Sequence, residues 1–154
     1  MPELPEVETI RRQLARVVRG RRIVGGQAHE SAKFAPALEA VGASIVDVDR
    51  RGKYLLLGLD DRRELVVHLG MTGSLALDAT TDPYVRAQWR LDDGTTLRYR
   101  DIRRFGRIAV VPQGVYDALP TLATQGPDPF DEAFTPEHLW RALRRSTARV
   151  KTQL

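Results

Sequence analysis

The sequence predicts a mainly β, α+β fold, an antiparallel sandwich or barrel with a helix at the N-terminus and another near the opposite end. Apolar residues recur at helical spacing near both ends of the chain, while short alternating or apolar segments separated by turn formers fill the middle. Several short strands at such spacing are typical of sandwiches and barrels. The 154 residues, 42% of them hydrophobic, suffice for one domain with a core, or one domain and the start of another.

The first helix is predicted over residues 5–19. Pro5 is suited to its first turn and Gly20 to its end, and acidic residues in the first turn and arginines in the last complement the helix dipole. Pro2 and Glu3 then lie just outside the helix and are anchored by it. The apolar positions at helical spacing are Val7, Ile10, Leu14, Val17 and Val18.

The middle of the chain is predicted to be strands. Turn signals at Asp60-Asp61 and Asp93-Gly94 separate neighbouring segments, and Pro112 ends the last one. The predicted strands are residues 44–48, 54–59, 64–69, 87–91, 96–100 and 108–111.

A linker and a second helix follow the strands. Residues 123–134 are rich in turn formers, and Thr135-Pro136-Glu137 is a typical helix start. Leu139, Leu143 and Trp140 are expected to form the buried face of this helix. We therefore predict an N-terminal domain over residues 1–133 and the truncated start of a second domain over residues 134–154. The chain stops without a clear C-cap or partner helix, so we expect a fragment of a longer protein.

Composition narrows the function classes. The chain has no cysteine, which excludes disulfides, a thiol nucleophile and thiolate metal ligands, and its three histidines are too far apart in sequence to suggest a metal site. No apolar run approaches 18 residues and no secretory signal is present, so we expect a cytoplasmic protein that does not bind a membrane. We also expect a monomer.

The charge balance leaves two interpretations open. The net charge is +4, with a pI of about 9.8, and all but three of the 24 basic residues are arginines. Arginine suits bidentate phosphate contacts, which favours a polyanionic partner. A GC-rich genome explains the same preference equally well.

The N-terminus offers a possible reaction centre. Removal of Met1 would leave Pro2 with a free secondary amine, whose pKa near 8 makes it available as a nucleophile. Glu3 is next in sequence and could donate and accept protons. If Met1 stays attached, the Pro2 nitrogen is an amide and has no such reactivity. On chemistry alone, two prolines that merely stiffen the lead-in are the more economical interpretation.

Five segments, in order, resemble formamidopyrimidine-DNA glycosylases. The start of the chain is similar to the family's N-terminus, in which the nucleophile must stand at the chain end. The other four resemble the family's lysine segment, its intercalation loop, its void-filling loop and the junction with its second domain. The segments are MPELPEVET at 1–9, RGKYLL at 51–56, HLGMTGSL at 68–75, DIRRFG at 101–106 and GPDP at 126–129.

The resemblance implies a bifunctional glycosylase and lyase of base excision repair. Such an enzyme excises oxidised purines, such as 8-oxoguanine and formamidopyrimidines, from damaged double-stranded DNA and cleaves the strand by β,δ-elimination. Pro2 would attack C1′ of the damaged nucleotide and Glu3 would transfer protons. Lys53 is expected to belong to this catalytic set. Together with His68, it would hold the phosphates that flank the lesion.

The resemblance also implies how the duplex is held open. Met71, Arg103 and Phe105 would fill the space left by the flipped nucleotide, which recovers part of the stacking energy. Lys151 stands where the family often has a lysine near the DNA backbone. Each of these residues, taken singly, could instead be an ordinary core or surface residue, and it is their joint order that supports the assignment.

The resemblance fixes the fold more narrowly than the patterns do. It implies a two-sheet antiparallel β-sandwich, followed by a helix–two-turn–helix domain that begins at the second predicted helix. Zinc is expected in a zinc finger of the full-length protein, and no cofactor is expected in this chain. The sequence departs from the family's pattern at Ile102, where proline is common. The loop therefore lacks the fixed φ angle that a proline ring would impose.

Three alternatives stay open. An endonuclease VIII-like enzyme would act on oxidised pyrimidines, although that branch more often has glycine where this chain has Leu4. A non-catalytic module would bind nucleic acid or a protein without using Pro2. A basic β-domain would have no role in nucleic-acid binding.

Overall fold

The helices and strands lie close to the predicted segments. The structure is a computed structural model and describes residues 2–78, 80–145 and 147–150. The helices are α1 (Leu4–Val18), α2 (Pro120–Ala123) and α3 (Pro136–Arg144), with a 3-10 helix at Ala35–Ala40. The strands are β1 (Ile23–Ala28), β2 (Ile45–Arg51), β3 (Tyr54–Leu59), β4 (Arg63–His68), β5 (Gly73–Leu77), β6 (Val85–Leu91), β7 (Thr96–Asp101) and β8 (Arg107–Pro112).

The eight strands form two antiparallel sheets of four strands each. One sheet has the order β1-β6-β7-β5 and the other the order β2-β3-β4-β8. The two-sheet antiparallel sandwich with an N-terminal helix is thereby confirmed. In the second sheet β2, β3 and β4 are sequence neighbours joined by short turns, and the turn between β3 and β4 lies at the predicted Asp60-Asp61 signal.

One apolar core contains residues from α1 and from both sheets. The helix contributes Val7, Leu14 and Val18, which lie on one face because their spacing follows the helical repeat. Trp89 is fully buried in this core, and its indole N–H donates to the Ala37 carbonyl 2.8 Å away. The buried face of α1 therefore fixes the start of the chain against the sandwich.

Strands β3 and β4 are buried on both faces. Alternate residues enter the main core or a second apolar cluster, which is closed by Leu119 and Leu122. This arrangement explains the continuous apolar run over residues 54–59, because neither face of the strand meets solvent. The second cluster consists of Tyr54, Leu56, Val66, Val111, Leu119 and Leu122.

Two strands were not predicted. Strand β1 contains Gly25 and Gly26, which have low strand propensity, and its pairing with β6 determines its conformation. Strand β5 begins at Gly73, within a segment that the sequence assigned to a loop. Helix α1 also begins and ends one residue earlier than predicted.

The predicted second helix begins where expected but lacks a fully buried face. The Thr135 hydroxyl accepts a hydrogen bond from the His138 N–H, and Pro136 follows it as the first helical residue. Leu139 and Leu143 are only half-buried and Trp140 is exposed, because the described part of this unit offers too little apolar surface to cover them.

The chain divides into two compact units, Met1–Ala123 and Thr124–Leu154. The division falls at the start of the turn-rich segment, whereas the boundary expected from the sequence, between residues 133 and 134, falls at its end. That boundary therefore stays a prediction.

Candidate functional site

The start of α1 holds Pro2 and Glu3 in place. Glu3 is the N-cap of the helix, and its carbonyl accepts the Val7 N–H at 3.1 Å. The Glu3 N–H donates to the Glu6 carboxylate at 2.7 Å. Pro2 is half-buried, while Glu3 is exposed. The backbone is thus tied down immediately after Pro2, at a chain end where fraying is common.

Lys53 lies beside Glu3. It follows Gly52 in the tight turn between β2 and β3, where Gly52 adopts a φ of 56° that favours glycine. The Lys53 Nζ is 3.8 Å from Glu3 Oε2, and both side chains are more than a third exposed. Such an exposed pair adds little to stability, but it places an amine next to the carboxylate that follows Pro2.

A partly buried ion-pair network joins α1 to the Lys53 turn. The Arg50 guanidinium donates to Glu8 at 3.0 Å and to the Gly52 carbonyl at 3.1 Å. Hydrogen bonds from Arg11, and then from Arg12 and Arg50, hold the pKa of Glu8 well below its usual range although burial opposes them. Glu8 is therefore ionised at neutral pH and connects the two elements that carry Glu3 and Lys53.

His68 ends β4 at the same edge of the sheet. It pairs with Tyr54 in the strand register, and the two rings lie 4.5 Å apart with a tilt of 36°. Burial, helped by the charge of Lys53 and opposed by that of Asp101, lowers the pKa of His68. The imidazole is therefore neutral at pH 7.

Met71, Arg103 and Phe105 form one exposed cluster, although they come from two loops. The Arg103 guanidinium lies 4.7 Å from the centroid of the Phe105 ring, and its Nη1 is 3.7 Å from the Met71 sulfur. Met71 is 38% exposed and Phe105 50% exposed. Two apolar side chains bridged by a cation are thus presented to solvent as a continuous surface.

Hydrogen bonds hold the loop in which Ile102 replaces the common proline. Buried Arg86 donates to the Asp101 carbonyl at 2.8 Å and to the Ile102 carbonyl at 3.4 Å. Lys33 Nζ donates to the Arg104 carbonyl at 3.0 Å, and Arg104 itself has a φ of 57°. These contacts supply constraints that a proline at position 102 would otherwise contribute through its ring.

The remaining expectations concern Lys151, metals and membranes. Lys151 lies outside the described residues. Within residues 2–78, 80–145 and 147–150, there is no group of three or more His, Asp or Glu that could hold a metal ion. No helix in this part of the chain is long and apolar enough to cross a membrane.

Comparison with known proteins identifies the family. The model of the formamidopyrimidine-DNA glycosylase N-terminal domain matches residues 1–108. The chain belongs to the formamidopyrimidine-DNA glycosylase family. A formamidopyrimidine-DNA glycosylase from Thermus thermophilus is 44% identical over 154 residues, covering 100% of this chain and 57% of the relative. One from Deinococcus radiodurans is 42% identical, covering 88% of this chain and 51% of the relative. The chain thus spans little more than half the length of these relatives.

Solved structures of the family share the fold. The MutM (Fpg) protein from Thermus thermophilus matches with a TM-score of 0.90 and 42% identity, covering 99% of this chain and 56% of that structure. The Lactococcus lactis Fpg in complex with DNA containing an abasic site matches with a TM-score of 0.83 and 31% identity, covering 98% of this chain and 59% of that structure.

Sequence reasoning named the residues expected to contact the substrate and missed those that support them. It assigned no site role to Glu8 and Arg50, which are 42 residues apart, or to Arg86 and Lys33, which brace a distant loop. Glu8 lies within the first motif and Arg50 directly precedes the second, so a charged residue in or next to a motif was the available signal. No sequence signal pointed to Arg86 or Lys33.

Proposed function

We propose that this chain provides the reaction centre of a DNA glycosylase and abasic-site lyase that removes oxidised purines from double-stranded DNA. The observation that carries the proposal is the meeting of Glu3 and Lys53 at the anchored chain start. His68 lies at the same edge of the sheet, next to the exposed loops. The surface therefore combines a nucleophile, a proton-transfer group and groups suited to phosphate and base contacts.

Glycosidic cleavage would begin at Pro2. With Met1 removed, the lone pair of its secondary amine forms a bond to C1′ of the damaged nucleotide, and the bond from C1′ to the base breaks. The base leaves with the bonding electrons and takes up a proton, and Glu3 is placed to transfer it. The Pro2 nitrogen gives up its proton, and protonation of the sugar ring oxygen then opens the ring, leaving a 4′ hydroxyl and an iminium between Pro2 and C1′.

Strand cleavage would follow from the iminium charge. The positive nitrogen accepts electrons when a proton leaves C2′, and the 3′ phosphate departs. Loss of a second proton, from C4′, expels the 5′ phosphate. Water then hydrolyses the iminium to an aldehyde and releases the Pro2 amine. Glu3 is the nearest carboxylate in sequence for these proton transfers, and the Lys53 Nζ lies 3.8 Å from it.

Lys53 and His68 would contact phosphates next to the lesion. Lys53 offers a positive charge, and the neutral His68 offers an N–H donor at the same sheet edge. Met71, Arg103 and Phe105 would enter the space left by the flipped nucleotide, where Arg103 can donate to the unpaired cytosine. Support comes from a relative, MutM, which has been solved with DNA containing carbocyclic 8-oxo-G.

Oxidised pyrimidines are a second candidate substrate class. The Lactococcus lactis Fpg has also been solved in complex with DNA containing an oxidised pyrimidine. Excision of both lesion types from otherwise identical duplexes would rank them, and we expect the purine lesion to be removed faster.

The decisive experiment is borohydride trapping on a duplex with an abasic site. Intact mass first establishes that Met1 is absent, because an acylated Pro2 nitrogen cannot attack. We expect a reduced adduct that peptide mapping locates at Pro2. Glu3→Gln should form it about 100-fold more slowly or worse, since a proton-transfer group is lost.

The matched control is Glu39→Gln, an exposed glutamate in the 3-10 helix, which should trap at the rate of the unmodified chain. An adduct located on a lysine, or none from protein with a free Pro2, would contradict the proposal.

A further inference from the structure

Asp101 is a buried carboxylate at the junction of the two exposed loops. It ends β7 and is 0% exposed. Its Oδ1 accepts the Thr72 hydroxyl at 2.6 Å and the Arg104 N–H at 3.1 Å. Its Oδ2 accepts the Gly106 N–H at 2.8 Å and lies 3.2 Å from the Tyr99 hydroxyl. Each oxygen therefore serves two neutral donors.

These hydrogen bonds stabilise the ionised form. Burial would raise the pKa of Asp101, but the hydrogen bonds from Thr72, Gly106 and Tyr99 outweigh it and hold the pKa below its ordinary range. The carboxylate is thus charged at neutral pH and able to accept at both oxygens.

Thr72 completes a bridge between the loops. Its hydroxyl donates to Asp101 and accepts the Arg103 N–H at 3.0 Å. Thr72 belongs to the loop that carries Met71, and Arg103 belongs to the loop that also carries Phe105. One hydroxyl group therefore ties the backbone of the second loop to the first.

The backbones also touch. A side chain at Gly70 would place its Cβ 2.5 Å from the Gly106 nitrogen and 2.6 Å from the Phe105 carbonyl carbon. This close approach requires glycine at position 70, and it packs the backbones of the two loops directly against each other below their exposed side chains.

We propose that Asp101 is a positioning residue that couples the Met71 loop to the Arg103–Phe105 loop, so that the three side chains enter the duplex as one unit. This inference rests on the proposed function. Beyond that function, we infer that the three side chains fill the gap cooperatively. The cooperativity comes from the buried carboxylate of Asp101, which does not itself contact DNA.

The test is a double-mutant cycle on binding to a duplex with a stable abasic-site analogue, at low ionic strength. Met71→Ala and Phe105→Ala are measured singly and together, first in the otherwise unmodified chain. When two residues act as a unit, replacing both lowers the affinity by less than the product of the two separate fold-losses. We expect the double variant to bind at least about threefold better than that product.

The cycle is then repeated with Thr72→Val, which keeps the side-chain shape but cannot donate to Asp101 or accept from Arg103. We expect the coupling factor to fall to about one, which means that the two substitutions then act independently. Thr72→Ser should retain it, because the hydroxyl remains. Asp101→Asn should also abolish it, since an amide nitrogen would face two donors. Circular dichroism establishes that each variant is folded.

Two matched controls lie far from the loops. Thr95→Val removes a threonine hydroxyl from the turn between β6 and β7. Asp61→Asn removes an aspartate carboxylate from the turn between β3 and β4. Both turns lie at the strand ends opposite the two loops. Both should leave the coupling unchanged. Coupling that survives Thr72→Val, or that is absent from the unmodified chain, would overturn the inference.

A separate readout distinguishes this failure from failure of the proposed function. Single-stranded abasic DNA has no gap to fill, so borohydride trapping on it reports the chemistry of Pro2 alone. If Thr72→Val lowers trapping on the duplex and not on the single strand, both proposals are supported. If no variant traps on either substrate while the binding cycle shows coupling, the chemistry is wrong and the loop inference stands.

Discussion

At the scale of single residues, His68 illustrates how its surroundings decide the chemistry of a site. The same imidazole in water would be partly protonated near neutral pH. Here burial and the charge of Lys53 lower its pKa, so the free protein presents an uncharged ring against Tyr54. A phosphate bound next to it would favour the charged form and raise the pKa again.

His68 should therefore make DNA binding depend on pH. Because the bound state holds the proton more tightly than the free state, affinity should rise as the pH falls from about 8 to about 6, by at most about tenfold per unit. Fluorescence titrations at constant ionic strength measure this change. His68→Asn should flatten the dependence, whereas His138→Asn, in the other unit, should preserve it. A steeper rise in His68→Asn than in the unmodified chain would contradict the assignment.

At the scale of elements, the Glu8–Arg50 network determines how α1 meets the hairpin of β2 and β3. Arg50 is largely buried, so its hydrogen bonds to Glu8 and to the Gly52 carbonyl fix a helix and a turn to each other. The consequence for the site is that the backbone segments that carry Glu3 and Lys53 are held side by side.

Glu8→Gln should destabilise the fold in a pH-dependent way. The pKa of Glu8 is lowered on folding, so its contribution is complete above the ordinary value near 4.5 and is lost as the pH falls below it. We expect Tm to drop by about 3 °C at pH 7, equivalent to about 1 kcal/mol. Thermal melts across pH should show the gap between variant and unmodified chain closing in acid. A gap that widens in acid would refute this account.

The elements also show how far sequence reasoning reaches. Helix α1 and strands β3 and β4 were predicted because their apolar residues repeat with a period set by the backbone. Strand β1 was missed because its glycines carry no such pattern, and its conformation comes from pairing with β6, more than fifty residues away.

The candidate site divides in the same way. Motif order predicted the exposed members, such as Met71 and Phe105, because their chemistry can be recognised in isolation. Asp101 and Thr72 stood within the same motifs without an assigned role. Their role depends on hydrogen bonds between positions 29 residues apart, which only the folded chain brings together.

At the scale of the whole molecule, net charge and length limit how the proposed DNA substrate can be held. The chain carries a net charge of +4 and spans 57% of its Thermus thermophilus relative. Contacts to the phosphate backbone should supply most of its affinity, and the relative should have more of them.

Binding of damaged duplex should therefore be weak and should decline steeply with salt. Lys53→Ala should lower the slope of log affinity against log salt by about 1, because one phosphate contact is lost. Titrations of this chain and of the longer relative at several salt concentrations provide the comparison. Equal affinity for the two proteins, or an unchanged slope in Lys53→Ala, would contradict this expectation.

Burial of β3 and β4 on both faces has a consequence for motion. The amide protons at the centre of these strands can exchange with solvent only when both apolar clusters open, so they should be among the slowest in the molecule. Lys53 precedes β3 and His68 ends β4, and both are therefore mounted on a hairpin that opens rarely. The backbone that carries the groups proposed to contact phosphates should therefore unfold locally less often than the exposed loops do.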